Sequence, residues 1–337
     1  MFHRAAGVAT PPMALFLSFA TTSTRSTPAH ADTTSTATST STSTSKPIAT
    51  LYLIRHAEST WNAAFARKNQ NWPEWLSYSL DPVPILTDKD HPLTKEGAAQ
   101  CLALRQRIAE AASEDGDADA RAMLDPASAL LTSSPLTRSI ATAALTFPSA
   151  EKVLLLPAAR ESDAHWFYGR DSIGTHRSRI PARVDGVLRS ALGRGAGEGA
   201  ATTPTPVLDM SAMGEGEVWW SEGEEDEAAM AARLRKLLGD VAHHAAAART
   251  TTTTTTTTTN AVVLTTHSLI IRRLFKAMLA EESKGAGQLG EALGSQSIVN
   301  CGVVAVDLVK ADGDNSIRMA RPRMLFGTNF ASFSPTI

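Results

Sequence analysis

The chain has 337 residues, 43% of them hydrophobic, and a formal net charge of −2 at pH 7. That length and apolar content support one large domain or two modest ones with a proper core. The charge gives no basic field for nucleic acid, no apolar run approaches the ~20 residues of a membrane-spanning helix, and two cysteines, Cys101 and Cys301, make neither a disulfide framework nor a metal cluster.

Residues 1–46 do not read as a fold. Residues 21–45 are dominated by Ser, Thr and Ala, with too little apolar content to offset the entropy of ordering. No acidic residue precedes Asp32, while Arg4 and Arg25 are present, which is the composition of an organelle transit segment. Two other readings stand beside it. Residues 13–20 (MALFLSFA) followed by Ala29-His30-Ala31 resemble a short secretory core and its cleavage site, and the segment also reads as a plain disordered tail of a cytoplasmic protein. Arg25 lies between the two secretory features and fits them poorly, so the transit segment is favoured.

The first element with chemistry is residues 49–62, ATLYLIRHAESTWN. A short apolar run ends in Arg55-His56, as expected of a buried strand handing polar groups to a site at its C-terminal end. An imidazole is a competent nucleophile near neutral pH. A guanidinium beside it grips two phosphate oxygens in fork geometry. Ser59, Thr60 and Asn62 are neutral donors suited to completing a phosphate cradle.

Residues 63–90 read as a loop, broken by Trp and Pro. A helix starts at Thr94, and Gly97, Cys101, Leu104 and Ile108 trace its buried face. Residues 113–119 are polar and acidic, an exposed loop. Residues 127–132 (ASALLT) are the second strand, after which Ser134 and Pro135 suit a helix start with Arg138 in its first turn, where helix N–H groups favour an anion. Residues 152–156 (KVLLL) are the third strand, followed by Arg160, Glu161 and Asp163. Residues 168–218, rich in Arg and Gly, read as an insertion or cap. Ser221 and Glu224 form a capping box for a helix running to about residue 248, with Met230, Leu234, Leu237, Leu238 and Val241 on one face. The threonine run 250–259 is an exposed loop. Residues 261–266 (AVVLTT) are the fourth strand and end in His267-Ser268, before a helix with Ile270, Leu274 and Met278 on one face. Residues 297–308 close the sheet, and 317–326 add an edge.

In this order, LIRHAESTWN (53–62), Pro92-Leu93-Thr94 with Gly97 and Gln100, Ser134-Pro135-Leu136 with Arg138, and Thr265-Thr266-His267-Ser268 resemble the motifs of the histidine phosphatase superfamily. The resemblance covers about residues 47–330, outside insertions near 168–218 and 249–260. It implies an α/β fold, a three-layer αβα sandwich with a mostly parallel central sheet, phosphoglycerate mutase-like. It implies that His56 is phosphorylated transiently and that Arg55 and Arg138 bind the phosphoryl group. Asn62, Ser59, Thr60 and Ser268 complete the binding set, and His267 donates to phosphate in its charged form. The family's general acid follows the third strand in a Leu-Arg-Glu setting. Here that reads Ala159-Arg160-Glu161, which assigns Glu161, with Asp163 as the rival. Ser268 stands where the acid-phosphatase branch has Asp, which places the chain in the mutase-like branch.

The resemblance implies a small phosphorylated substrate, no cofactor and no metal. Three functions remain open: a phosphomonoester hydrolase, a phosphoglycerate-type phosphomutase, and a non-catalytic phosphate-binding scaffold. Mutases of the family usually have Arg-His-Gly and a Gly-Trp-containing stretch soon after. This chain has Ala57, and residues 70–75 lack that Gly, which favours hydrolysis. Intact motifs argue against the scaffold.

Overall fold

The computed structural model describes residues 47–68, 89–113, 116–127, 129–162, 173–193, 205–220, 225–251, 260–280, 288–311 and 316–331. The N-terminal stretch 1–46, Asp163, the capping box at Ser221 and Glu224, and residues 252–259 of the threonine run lie outside the described residues. In chain order the elements are β1 (Ala49–Arg55), α1 (Thr60–Lys68), α2 (Lys95–Ser113), α3 (Ala118–Leu124), β2 (Ala129–Ser133), α4 (Thr137–Thr146), β3 (Lys152–Leu155), α5 (Ile180–Ala191), β4 (Val207–Asp209), α6 (Glu227–Thr251), β5 (Asn260–Thr266), α7 (Ser268–Met278), α8 (Gln288–Ser295), β6 (Val303–Lys310) and β7 (Ile317–Leu325).

The strands form one seven-stranded sheet in the order β4-β3-β2-β5-β1-β6-β7. β1 to β5 are mutually parallel, and only β6 runs antiparallel to its neighbours β1 and β7. Strand β1 lies between β5 and β6, and its apolar run is buried on both faces, as a covered central strand requires. Side chains alternate across it. Leu51 and Leu53 join Val262, Leu264, Val304 and Val306 on one face, under α6 and α7. Tyr52 and Ile54 join Val263, Val303 and Ala305 on the other, under α2, α4 and α5. Two apolar cores, one on each side of one sheet, make the three-layer αβα sandwich. Each fully buried Leu or Val in them is worth ~1.5–3 kcal/mol of burial.

Helix α2 starts where its sequence predicts: Thr94 Oγ1 accepts from Gly97 N at 2.9 Å, and Cys101, Leu104 and Ile108 are buried. The start is tied to the first motif. Thr94 N donates to the Glu58 carbonyl at 3.0 Å, and Glu58 N donates to Gln100 Oε1 at 3.0 Å. Gly97 packs so closely that a Cβ there would run into the Glu58 carbonyl oxygen. Thr94, Gly97 and Gln100 thus hold the chain just beyond His56.

Several expectations are corrected. Residues 63–68, expected as loop, belong to the helix Thr60–Lys68, because Ser59 and Asn62 form a reciprocal cap: Asn62 Oδ1 accepts from Ser59 N at 3.1 Å and from Ser59 Oγ at 3.0 Å, and Ser59 Oγ accepts from Asn62 N at 3.3 Å. The acidic stretch 113–119 is not all loop. Asp117 caps α3, and Asp119 within it accepts from Tyr52 Oη at 2.8 Å and pairs with Arg323 at 3.2 Å. Ser134 does not cap α4; the cap residue is Leu136, and Asp90 Oδ1 takes the Thr137 N–H at 2.9 Å instead. Helix α6 begins at Glu227, where Asp226 Oδ1 accepts from Ala229 N at 2.7 Å, and it runs on to Thr251. The segment after Ile173 contributes α5 and the edge strand β4, paired in parallel with β3.

Candidate active site

Parallel pairing of β1 with β5 sets Arg55 opposite Thr266, and His56 N donates to the Thr266 carbonyl at 2.9 Å. His56 and His267, far apart in sequence, therefore leave adjacent strand ends together. Their ring centroids are 5.1 Å apart with the rings tilted by 58°. Both are out of water, His56 at 4% exposure and His267 at 0%.

His56 Nδ1 lies 2.7 Å from the Ala57 carbonyl oxygen. A carbonyl only accepts, so Nδ1 carries the proton and Nε2 keeps its lone pair. Burial, then the charges of Arg138 and Arg55, hold the His56 pKa well below the usual imidazole value, against the opposing pull of the Ala57 carbonyl. His267 is lowered for the same first two reasons, burial and Arg138, with His56, Arg233 and Arg55 adding to the effect. Burial first, and then the surrounding charges, thus favour the neutral form of His267 in the ligand-free site.

Arg55 ends β1, and its Nη1 donates to the Ile298 carbonyl at 2.6 Å. Its backbone is held by the turn before β6: Arg55 N donates to the Gly302 carbonyl at 3.1 Å, and Cys301 N to the Arg55 carbonyl at 3.1 Å. Cys301 makes that turn at φ 56°, left-handed backbone that a non-glycine rarely adopts. Burial lowers the Arg55 pKa to about 10, with Glu161 and Cys301 opposing the shift, so the guanidinium stays charged at neutral pH. Arg138 is fully buried in the first turn of α4. Thr142 Oγ1 joins that helix to the His56 loop, accepting from Ala57 N at 3.0 Å and donating to the Arg138 carbonyl at 2.8 Å.

Several polar atoms around this point are buried with no hydrogen-bond partner among the described residues: Arg55 Nε and Arg272 Nε, which donate, and Ser268 Oγ and His267 Nδ1, which are able to. Orphaned buried donors are rare and costly, and an oxyanion would satisfy them. Glu161 follows a 3₁₀ turn (Pro157–Ala159) after β3, and its charge acts on both Arg55 and Arg272. The expected cradle residues divide. Ser268 opens α7 beside His267. Ser59 and Asn62 bond each other, and exposed Thr60 meets His91 Nδ1 at 3.3 Å through its Oγ1.

Two residues were missed from sequence. Arg272 lies one helical turn after Ser268, a spacing of four that was visible. Asp90, 3% exposed, had no signal, since its partners are dispersed. It takes Thr137 N and Oγ1 from the helix carrying Arg138, Thr175 Oγ1 at 2.7 Å, and the Arg183 guanidinium, with Nε 3.9 Å away. Among the described residues no group of three His, Cys, Asp or Glu is placed to hold a metal ion, and no helix is long and apolar enough to cross a membrane.

No family model and no curated protein matches the chain. Solved structures do. A mycobacterial glucosyl-3-phosphoglycerate phosphatase is 18% identical over 82% of this chain and 97% of its own, with a TM-score of 0.41. The ecdysone phosphate phosphatase of Bombix mori, solved with tungstate, is 14% identical over 85% of this chain and 97% of its own, with a TM-score of 0.41. A phosphoglycerate mutase of Bacillus anthracis is 16% identical over 82% of this chain and 92% of its own, with a TM-score of 0.39. The chemistry of the site residues, rather than these likenesses, is the basis for assigning a function.

Proposed function

We propose that the protein is a metal-independent phosphomonoester hydrolase of the histidine phosphatase superfamily, acting on a small phosphorylated substrate through a phosphohistidine. The observation that carries this is the pair of buried, neutral imidazoles 5.1 Å apart in the field of Arg138 and Arg55. A neutral His56 offers Nε2 as nucleophile, and the two guanidiniums favour a dianion beside it.

In the first step His56 Nε2 attacks phosphorus, the bond to the leaving oxygen breaks, and Glu161 gives that oxygen its proton. Arg55, Arg138 and His267 hold the remaining phosphoryl oxygens, doing by fixed donors what metal ions do in kinases. In the second step water attacks phosphorus, Glu161 takes its proton, and inorganic phosphate leaves His56 free. Return of the phosphoryl group to bound product is the mutase alternative, which releases no phosphate.

The test is labelling with p-nitrophenyl phosphate, quenched in alkaline denaturant, together with an assay of released phosphate. Base-stable, acid-labile phosphate on the wild-type chain, absent from His56→Ala, with phosphate released mole for mole with nitrophenol, is the expected result. Label that survives His56→Ala overturns the assignment.

A further inference from the structure

Glu161 follows a short turn, its Oε1 accepting from Ser162 N at 3.1 Å, and a proton donor must be held to within about 0.5 Å. The backbone leading to it is held at every carbonyl. The Pro157 carbonyl accepts from Arg160 N at 3.1 Å. The Ala159 carbonyl accepts from Thr266 Oγ1 at 2.8 Å, and Thr266 is the residue whose own carbonyl receives His56 N. The Ala158 and Arg160 carbonyls both accept from one atom, Arg233 Nη1, at 3.0 and 2.7 Å.

Arg233 comes from α6, on the other side of the turn, and is 8% exposed. A guanidinium so buried needs a carboxylate. Glu225 supplies it in fork geometry, with Arg233 Nε at 2.7 and 3.0 Å from its two oxygens and Nη2 at 2.6 Å from Oε2. Glu225 Oε1 also lies 3.8 Å from Arg160 Nη2. A charged strut therefore runs from Glu225 through Arg233 to the carbonyls on either side of Ala159, the second of which belongs to the residue before Glu161. Its hydrogen bonds reach the turn and not His56, and packing alone would not need a charge there.

We propose that Arg233, gripped by Glu225, is a positioning residue for proton transfer: it sets the place of the Glu161 carboxyl over the His56 site through the Ala158 and Arg160 carbonyls. The inference rests on Glu161 being the proton donor of the proposed reaction. Its signature is dependence on the leaving group. An alkoxide must be protonated as the P–O bond breaks, whereas nitrophenolate departs readily as an anion.

The experiment compares kcat/KM for ethyl phosphate and p-nitrophenyl phosphate in the wild type, Glu161→Gln, Arg233→Gln, Glu225→Gln and the Glu161→Gln/Arg233→Gln pair. kcat/KM includes phosphoryl transfer to His56 but not the later hydrolysis of the phosphoenzyme. Glu161→Gln loses much of the ~10²–10⁴-fold that general acid catalysis supplies, on ethyl phosphate far more than on p-nitrophenyl phosphate. Arg233→Gln follows the same pattern with a loss of at least about 10-fold on ethyl phosphate, and adds no further selective loss once Glu161 is gone. If Arg233→Gln does not fold, Glu225→Gln, which keeps a neutral acceptor in place, carries the same expectation. Equal losses on the two substrates, or a Glu225→Gln variant indistinguishable from wild type, overturn the proposal. A selective loss in Arg233→Gln without one in Glu161→Gln also overturns it, since the strut would then serve another donor. Phosphohistidine labelling of the wild-type chain, absent from His56→Ala, reports on the underlying function separately.

Discussion

His267 Nε2 lies 2.9 Å from Ser134 Oγ, which leaves Nδ1 as the nitrogen of that ring with no partner among the described residues. A hydroxyl can donate to Nε2 or accept from it, so this contact serves both the neutral and the charged ring. Ser139 Oγ, 3.3 Å from the same nitrogen, gives a second such contact. His267 is thereby built to change charge without moving.

That arrangement predicts proton uptake on anion binding. Burial and Arg138 hold the ring neutral, and a dianion beside it reverses the balance. Titration calorimetry with tungstate, a dianion at neutral pH, in buffers of different ionisation enthalpy should report uptake of up to about one proton per site. His267→Gln should bind more weakly and without the uptake. Binding that takes up no proton in the wild type contradicts a switching His267.

Stability should also depend on pH through these two imidazoles. Their folded-state pKa values lie well below the ordinary 6.5, so below about pH 6.5 the unfolded chain binds protons that the folded chain refuses. Their contribution is fully present above that value and is lost as pH falls towards the folded-state values. The slope is at most ~1.4 kcal/mol per pH unit for each ring. Urea midpoints at pH 7.5 and 5.5 measure it, and His267→Gln should show a smaller acid loss than wild type.

Asp90 gives a prediction of another kind. Asp90→Ala removes the acceptor shared by Thr137, Thr175 and Arg183. Buried donors stripped of an acceptor predict a loss of about 3 kcal/mol, with weaker anion binding because the turn carrying Arg138 is no longer tied down. A urea midpoint within error of wild type would show that the Asp90 junction contributes little.

The features legible in the sequence are those whose physics acts locally. The run LYLI before Arg55-His56 and the run VVLTT before His267 are buried strands whose apolar residues are contiguous, and the β1 and β5 of the structure lie where those runs predict. Gly97, Cys101, Leu104 and Ile108 share the buried face that their spacing implies. The misses share a different cause. Ser134 has the residue type and position of a helix cap, yet its hydroxyl is taken by an imidazole from the other end of the chain. Asp90 looks like a loop aspartate until the fold brings Thr137 and Thr175 to it. Strand β4 is three residues long, with too few positions to show a period. Arg233 reads as an ordinary helix arginine between Ala232 and Leu234, and only the turn after β3 gives it work.

The strand order carries a consequence for how this protein comes into being. Among the described strands β1 is synthesised first, and both strands that flank it, β5 and β6, are among the last. The partners of Leu51, Tyr52, Leu53 and Ile54 in the sheet are therefore made only after β2, β3 and β4. Late closure of so distant a pairing is slow and exposes strand edges to other chains. The strand ends that carry His56 and His267 meet only at that closure, so the proposed activity would require residues up to and beyond β5 to have been made.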